Sequence, residues 1–278
     1  MSQDIKKLIE EMPNIPSMPL IILSLLDQLN KPEPDIIKLS ATISKDLSLT
    51  AQLLKLVNSA YFSFSSRVNT VTQAAVLLGL NRIRDLVIGA AIKPMITSIC
   101  GKSLWEHSIR CAVGSELIAK KLNDNRHEEA FIAGLLHDIG KIILELYNSK
   151  TTKEVQDRVL LGDERIKTEK QLFGFTHTEV GKVLISKWKL PKHIGEHVNF
   201  HHNPLQSSDK LITSYVYVAD RLAQQNPVYP VVDNEICDDL DFEVSDPITL
   251  REEIFTTSKP IIEVFSGEIK PNLINKAG

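Results

Sequence analysis

Apolar residues along this chain recur at helical spacing, and almost nowhere do they alternate as they would in a half-buried strand. After Pro19, the residues Leu20, Leu23, Leu26 and Leu29, with Ile22 and Leu25, form one apolar stripe that Lys31-Pro32 stops. Asp35 is placed to cap a second helix through Ile36, Ile37, Leu39 and Ile43. A third runs through Leu49, Leu53, Leu56 and Val57 to about Tyr61, and the polar run from Ser63 to Asn69 reads as a loop. Thr70 with Gln73 fits a capping box for a fourth helix ending near Gly79. Asn81 opens a fifth, which Pro94 is expected to end.

The second half predicts longer helices, over 104–122 and 128–147. Thr176 with Glu179 is another capping box and puts His177 in a first turn. Pro191 suits the first position of a helix reaching His197 and His201. A further helix over 211–222 carries Asp220, and the only strand-like run, Tyr215-Val216-Tyr217-Val218, falls inside it. Between Val231 and Glu253 nine acidic residues stand against one basic, Arg251, which predicts a solvated loop before a last helix over 248–265. The pattern is all-α. It divides into helical parts at 1–98 and 99–225, with an acidic loop and final helix at 226–278.

Chemistry concentrates in Leu135-Leu136-His137-Asp138-Ile139-Gly140-Lys141. An imidazole beside a carboxylate, flanked by aliphatics, is half of a metal site. His107 upstream and His177, His201, His202 and Asp220 downstream supply the rest, in order, from a chain with eight histidines. Nitrogen and oxygen donors without cysteine suit Fe, Mn, Zn, Ni or Mg. In a two-metal reading Asp138 bridges, His107, His137 and Asp220 complete one ion, and His177, His201 and His202 serve the other. Lys141, one turn on, is a candidate phosphate contact. His137 and Asp138 project about 100° apart on an ideal helix, so sharing an ion requires side-chain reach or a local distortion. His193 and His197 read as surface residues and His127 as loop.

Composition narrows the classes. A net charge of −3 gives no bulk attraction to nucleic acid or anionic membrane. The helix–Gly79–helix cadence over 70–91, with Arg82 and Arg84, resembles a DNA-reading turn. Residues 1–100, however, hold ten basic against eight acidic residues, no basic stripe, and helix packing is the preferred reading. Three widely spaced cysteines, a polar N-terminus and no apolar run of membrane-spanning length predict a reduced, cytoplasmic protein without membrane partners.

The ordered series His107, His137-Asp138, His177, His201-His202 and Asp220 resembles the HD superfamily of metal-dependent phosphohydrolases. Pro16-Ser17-Met18-Pro19, the run from Asp46 through Asn58-Ser59-Ala60-Tyr61-Phe62, and Thr72-Gln73-Ala74-Ala75-Val76-Leu77-Leu78-Gly79-Leu80 resemble its HDOD branch. The resemblance implies an HD-type helical bundle with an N-terminal helical subdomain and a bacterial signalling protein acting mainly through other signalling proteins. An active phosphohydrolase on nucleotide or cyclic-dinucleotide substrates is the alternative, and a nucleic-acid-binding regulator is a weaker one. The His201-His202 pair is similar to that of the cyclic-dinucleotide phosphodiesterase branch, but Asn203-Pro204-Leu205-Gln206 stands where that branch has Gly-Tyr-Pro.

Overall fold

The computed structural model describes residues 15–29, 31–224 and 246–266, with Ile5, Ile9, Met12 and Ile236 besides. Every regular element among the described residues is helical. In the first half these are α1 (Leu20–Leu29), α2 (Ile36–Ser44), α3 (Leu47–Val57), α4 (Val71–Leu78) and α5 (Leu80–Ile99). The second half holds α6 (Lys102–Lys121), α7 (His127–Leu136), α8 (Lys141–Leu160), α9 (Arg165–Phe173), α10 (His177–Lys187), α11 (Lys192–Phe200), α12 (Lys210–Ala223) and α13 (Pro247–Ser266).

The starts follow the expected caps. Asp35 accepts from the Ile37 and Lys38 amides at 2.8 and 3.1 Å, and Thr70 accepts from the Gln73 amide at 3.1 Å, but the expected capping box is not closed, because Gln73 Oε1 accepts from the Asn69 amide at 3.0 Å instead. Gly79, at φ +81°, makes the turn from α4 to α5, where a side chain would be strained.

Two expected boundaries move. Pro94 does not end α5, which continues to Ile99. Proline forfeits one ladder bond, yet Ile92 and Ile96 on either side are buried, and the Thr97 hydroxyl donates to the Lys93 carbonyl. Packing of the helix face outweighs the lost bond. The helix expected over 128–147 is instead broken at residues 137–140. There a tight turn carries Ile139 N to Leu136 O at 2.9 Å and Lys141 N to Asp138 O at 2.9 Å. The other changes are smaller. Pro191 precedes α11 as its cap, and Tyr215-Val216-Tyr217-Val218 is helical within α12, buried on all four side chains. The acidic run lies largely outside the described residues.

One apolar cluster reaches from Ile22 and Leu53 through Leu86, Trp105, Leu135, Ile143 and Val198 to Phe265, so N-terminal helices and second half share a core. A second gathers Cys111, Ile118, Tyr215, Val218, Leu222 and Ile254 around α12. α6 packs along both α7 and α12, with α13 laid across it. Arg82 points inward, not toward solvent. Its guanidinium and the Tyr61 hydroxyl both donate to the buried Glu116 of α6. The helix–Gly79–helix unit is thereby spent on packing, and one arginine of the DNA-reading alternative is removed. No helix among the described residues is long and apolar enough to cross a membrane.

Candidate metal centre

His137, still helical at φ −50° and ψ −40°, caps the end of α7, and Asp138 follows it in the tight turn that leads into α8. Both side chains reach the same space, His137 Nε2 lying 3.2 Å from Asp138 Oδ2. His107 comes from the second turn of α6 and Asp220 from the last turn of α12. His177 is the first residue of α10, fixed by the Thr176–Glu179 capping box, and His201 and His202 close α11. All seven sequence-predicted ligand positions converge, and Lys141 joins them.

They form two sets around Asp138. On one side, His107 Nε2 lies 3.2 Å from His137 Nε2 and 3.0 Å from Asp220 Oδ1, and His137 Nε2 is 3.2 Å from Asp138 Oδ2. On the other, His177 Nε2 lies 3.4 Å from His201 Nε2, 3.3 Å from His202 Nε2 and 3.3 Å from Asp138 Oδ1. Each carboxylate oxygen of Asp138 thus serves a different imidazole set. The Lys141 ammonium donates to Asp138 Oδ2.

Outward bonds set the imidazoles. His137 Nδ1 donates to the Gly134 carbonyl at 2.7 Å, and His201 Nδ1 to the Val198 carbonyl at 2.8 Å. His177 Nδ1 donates to Glu169 Oε2 at 2.7 Å. The Nε2 lone pairs therefore turn inward, as in histidines that ligate metals. His177 and His201 are fully buried, and their two inward-facing nitrogen lone pairs lie 3.4 Å apart. That arrangement requires a positive charge, and the donor set fits a divalent ion.

The protonation equilibria point the same way. Burial pushes the Asp138 carboxyl up, but the His137 and Lys141 charges outweigh it and hold the carboxyl well below the usual range. Burial likewise raises the Asp220 carboxyl, and hydrogen bonds from His107 and His137 reverse the effect. For His137 and His177, burial disfavours the imidazolium, but Asp138 and Glu169 more than compensate, and both rise above the usual histidine value. Burial and neighbouring imidazoles push His201 far down, and burial with His177 pushes His202 to about 3. Ionised carboxylates in a dry pocket hold protons where no other cation is bound.

Two residues escaped the sequence reading. Glu169 is fully buried and accepts from both the backbone amide and Nδ1 of His177, at 2.8 and 2.7 Å. An acid within the polar run Arg165–Phe173 carries no local signal of such a role. His197, expected at the surface, is fully buried and bonds to the Thr213 hydroxyl at 2.9 Å, because its face of α11 packs on α12. His127, expected in a loop, opens α7 and is partly exposed.

A sequence model of the HDOD domain matches residues 15–204. An uncharacterized protein of Treponema pallidum is 29% identical over 196 residues, covering 68% of this chain and 38% of that protein. A cyclic di-GMP phosphodiesterase of Vibrio cholerae, CdgJ, is 24% identical over 146 residues, covering 52% of this chain and 32% of CdgJ. The chain spans about a third of the length of the curated relatives it matches (38%, 36% and 32%). Among solved structures, an HDOD domain protein of unknown function from Geobacter sulfurreducens superposes with a TM-score of 0.75 at 23% identity, over 95% of this chain and 96% of that one. A candidate phosphohydrolase from Shewanella amazonensis gives 0.75 at 25% identity, over 93% and 97%.

Proposed function

The chain belongs to the HDOD family, and from that premise we propose that it is the metal-binding part of a signalling protein whose centre hydrolyses a phosphoester. The observation that carries this is the split of Asp138, one oxygen toward His107 and His137, the other toward His177 and His201. In this reading His107, His137 and Asp220 with Asp138 would hold one divalent ion, and His177, His201 and His202 with Asp138 would hold the other. Bound divalent ions supply an acidified water and neutralise phosphoryl charge. The chain's own residues do the rest. Asp138 fixes the spacing of the two sets, Glu169 orients His177, and Lys141 adds a positive charge on the open side of Asp138.

A cleft of about 1240 Å³ opens over the centre, lined by His107, Lys141, His202 and Asp220 and, farther out, by Lys150 and Arg221. It admits a ligand of nucleotide size. Asn203 and the short Pro204–Gln206 turn follow the histidine pair. With no Gly-Tyr-Pro element there to grip a cyclic dinucleotide, phosphomonoesters and simpler diesters are the favoured substrates. CdgJ is matched over 32% of its length, so its named activity does not decide this. The sequence put protein interaction ahead of catalysis; a complete, oriented ligand set favours the reverse order. Docking of a signalling protein remains a compatible second role, supported by Leu20, Ile37 and Leu47, which are 83%, 75% and 83% exposed on α1–α3.

Phosphate release from a panel of mono- and diesters by Mn- or Fe-loaded protein tests the hydrolase reading. Turnover that Asp138→Ala abolishes is expected. Absence of turnover across the panel, with both ions bound, leaves only the interaction role.

A further inference from the structure

The buried centre leaves one histidine pair of α11 unused. His193 and His197 are four residues apart and share a helix face, with ring centroids 6.3 Å apart. Both aim Nε2 at Glu129 Oε1 on α7, His197 from 3.2 Å and His193 from 3.7 Å. The Thr213 hydroxyl lies within hydrogen-bond reach of the Asp209 carbonyl at 2.7 Å, of Ser207 Oγ at 2.8 Å and of His197 Nδ1 at 2.9 Å. His197 Nε2 thus faces a carboxylate oxygen within hydrogen-bond reach, although His197 has no solvent exposure. A proton on Nε2 satisfies this contact, and a metal ion shared by the imidazole and the carboxylate can take that proton's place. Ligand atoms of Glu129, His197 and Asp209 all lie within 4.8 Å of one another. Asp209 pairs with Arg126 at 2.6 Å, and Arg126 is held independently by Asp124 at 2.9 Å.

The geometry points to a second, peripheral metal site in which Glu129, His193 and His197 bind a borderline divalent ion such as Zn²⁺, with Asp209 as a fourth ligand when Arg126 stays on Asp124 alone. Two histidines one helical turn apart plus a carboxylate from a neighbouring helix is a donor set that zinc accepts. Its place gives it a consequence. α7 runs directly into His137 and α11 into His201, so the ion ties together the two helices that deliver ligands to the buried centre. The site uses none of that centre's residues and stands or falls separately from the hydrolase reading.

Zn²⁺ alone is the probe. In equilibrium dialysis at micromolar free Zn²⁺, the wild-type chain is expected to hold one equivalent more than either His193→Ala or Glu129→Gln. Crystals soaked in Zn²⁺ are expected to give an anomalous peak among Glu129, His193 and His197. Both substituted side chains are partly exposed, and circular dichroism confirms that the variants are folded. Equal equivalents in all three proteins, with no anomalous peak at Glu129, overturn the proposal. Loss of one equivalent in the variants sustains it even if the buried centre proves inert on every phosphoester.

Discussion

Gly140→Ala tests how the fold builds the centre. Gly140 has φ −66°, so any residue could adopt its backbone; what forbids a side chain is crowding. A Cβ there would lie 1.8 Å from the His177 carbonyl oxygen and 2.8 Å from the Gly181 amide nitrogen. Carbon and oxygen approach to about 3.3 Å at closest, so the start of α10 must retreat by roughly 1.5 Å. His177 rides on that first turn, with Nε2 3.3 Å from Asp138 Oδ1, and metal–ligand distances tolerate only about 0.2 Å. Overpacking of this kind costs about 1–3 kcal/mol, which lowers Tm by about 2–12 °C in a chain of this size. Thermal unfolding and elemental analysis are the assays. A lower Tm is expected, together with loss of the ion proposed for His177, His201 and His202. A variant with wild-type Tm and wild-type metal content would refute the claim that this close approach positions His177.

Further outcomes follow from the same geometry. Glu169→Gln keeps shape but weakens the anchor on His177 Nδ1, and titration calorimetry should find metal affinity lowered about 10–100-fold. Because His137 and His177 hold protons above the usual histidine range, protons compete with metal through neutral pH; affinity should rise between pH 6 and 8, and a flat profile would count against their ligand roles. Asp85 is fully buried, and burial lifts its carboxyl to about 7 against the pull of Arg84 and Arg82. A raised folded-state value means that stability from this group is full below about pH 4 and is lost as pH rises through 7. Asp85→Asn should therefore narrow the difference in urea stability between pH 5 and pH 8 by roughly 2–3 kcal/mol. Chelation should lower the Tm of wild type but not of Asp138→Ala.

Much of this was legible because the information is local. Caps at Asp35, Thr70 and Thr176 and the apolar stripes that follow them specify helices within a few residues, and the ligand types announce themselves by order. What was hidden depends on contacts between distant segments. Nothing near Pro94 reveals that the core on both sides will carry α5 through it. The break at 137–140 shows only as the Gly140 that must touch α10. Glu169 and His197 look like surface residues until α9 and α11 are folded against α10 and α12. Arg82 looked available to a ligand because its partner, Glu116, is 34 residues away.

The central claim is that Asp138 joins two metal ions. Its most direct test is a crystal structure of protein purified without chelator and supplied with Mn²⁺ or Fe²⁺, with anomalous data at the metal edge. The account predicts two ions about 3.5–4 Å apart, one on each oxygen of Asp138, the first among His107, His137 and Asp220 and the second among His177, His201 and His202. No anomalous density at Asp138, or a single ion that leaves His177, His201 and His202 hydrogen-bonded to one another, would contradict it.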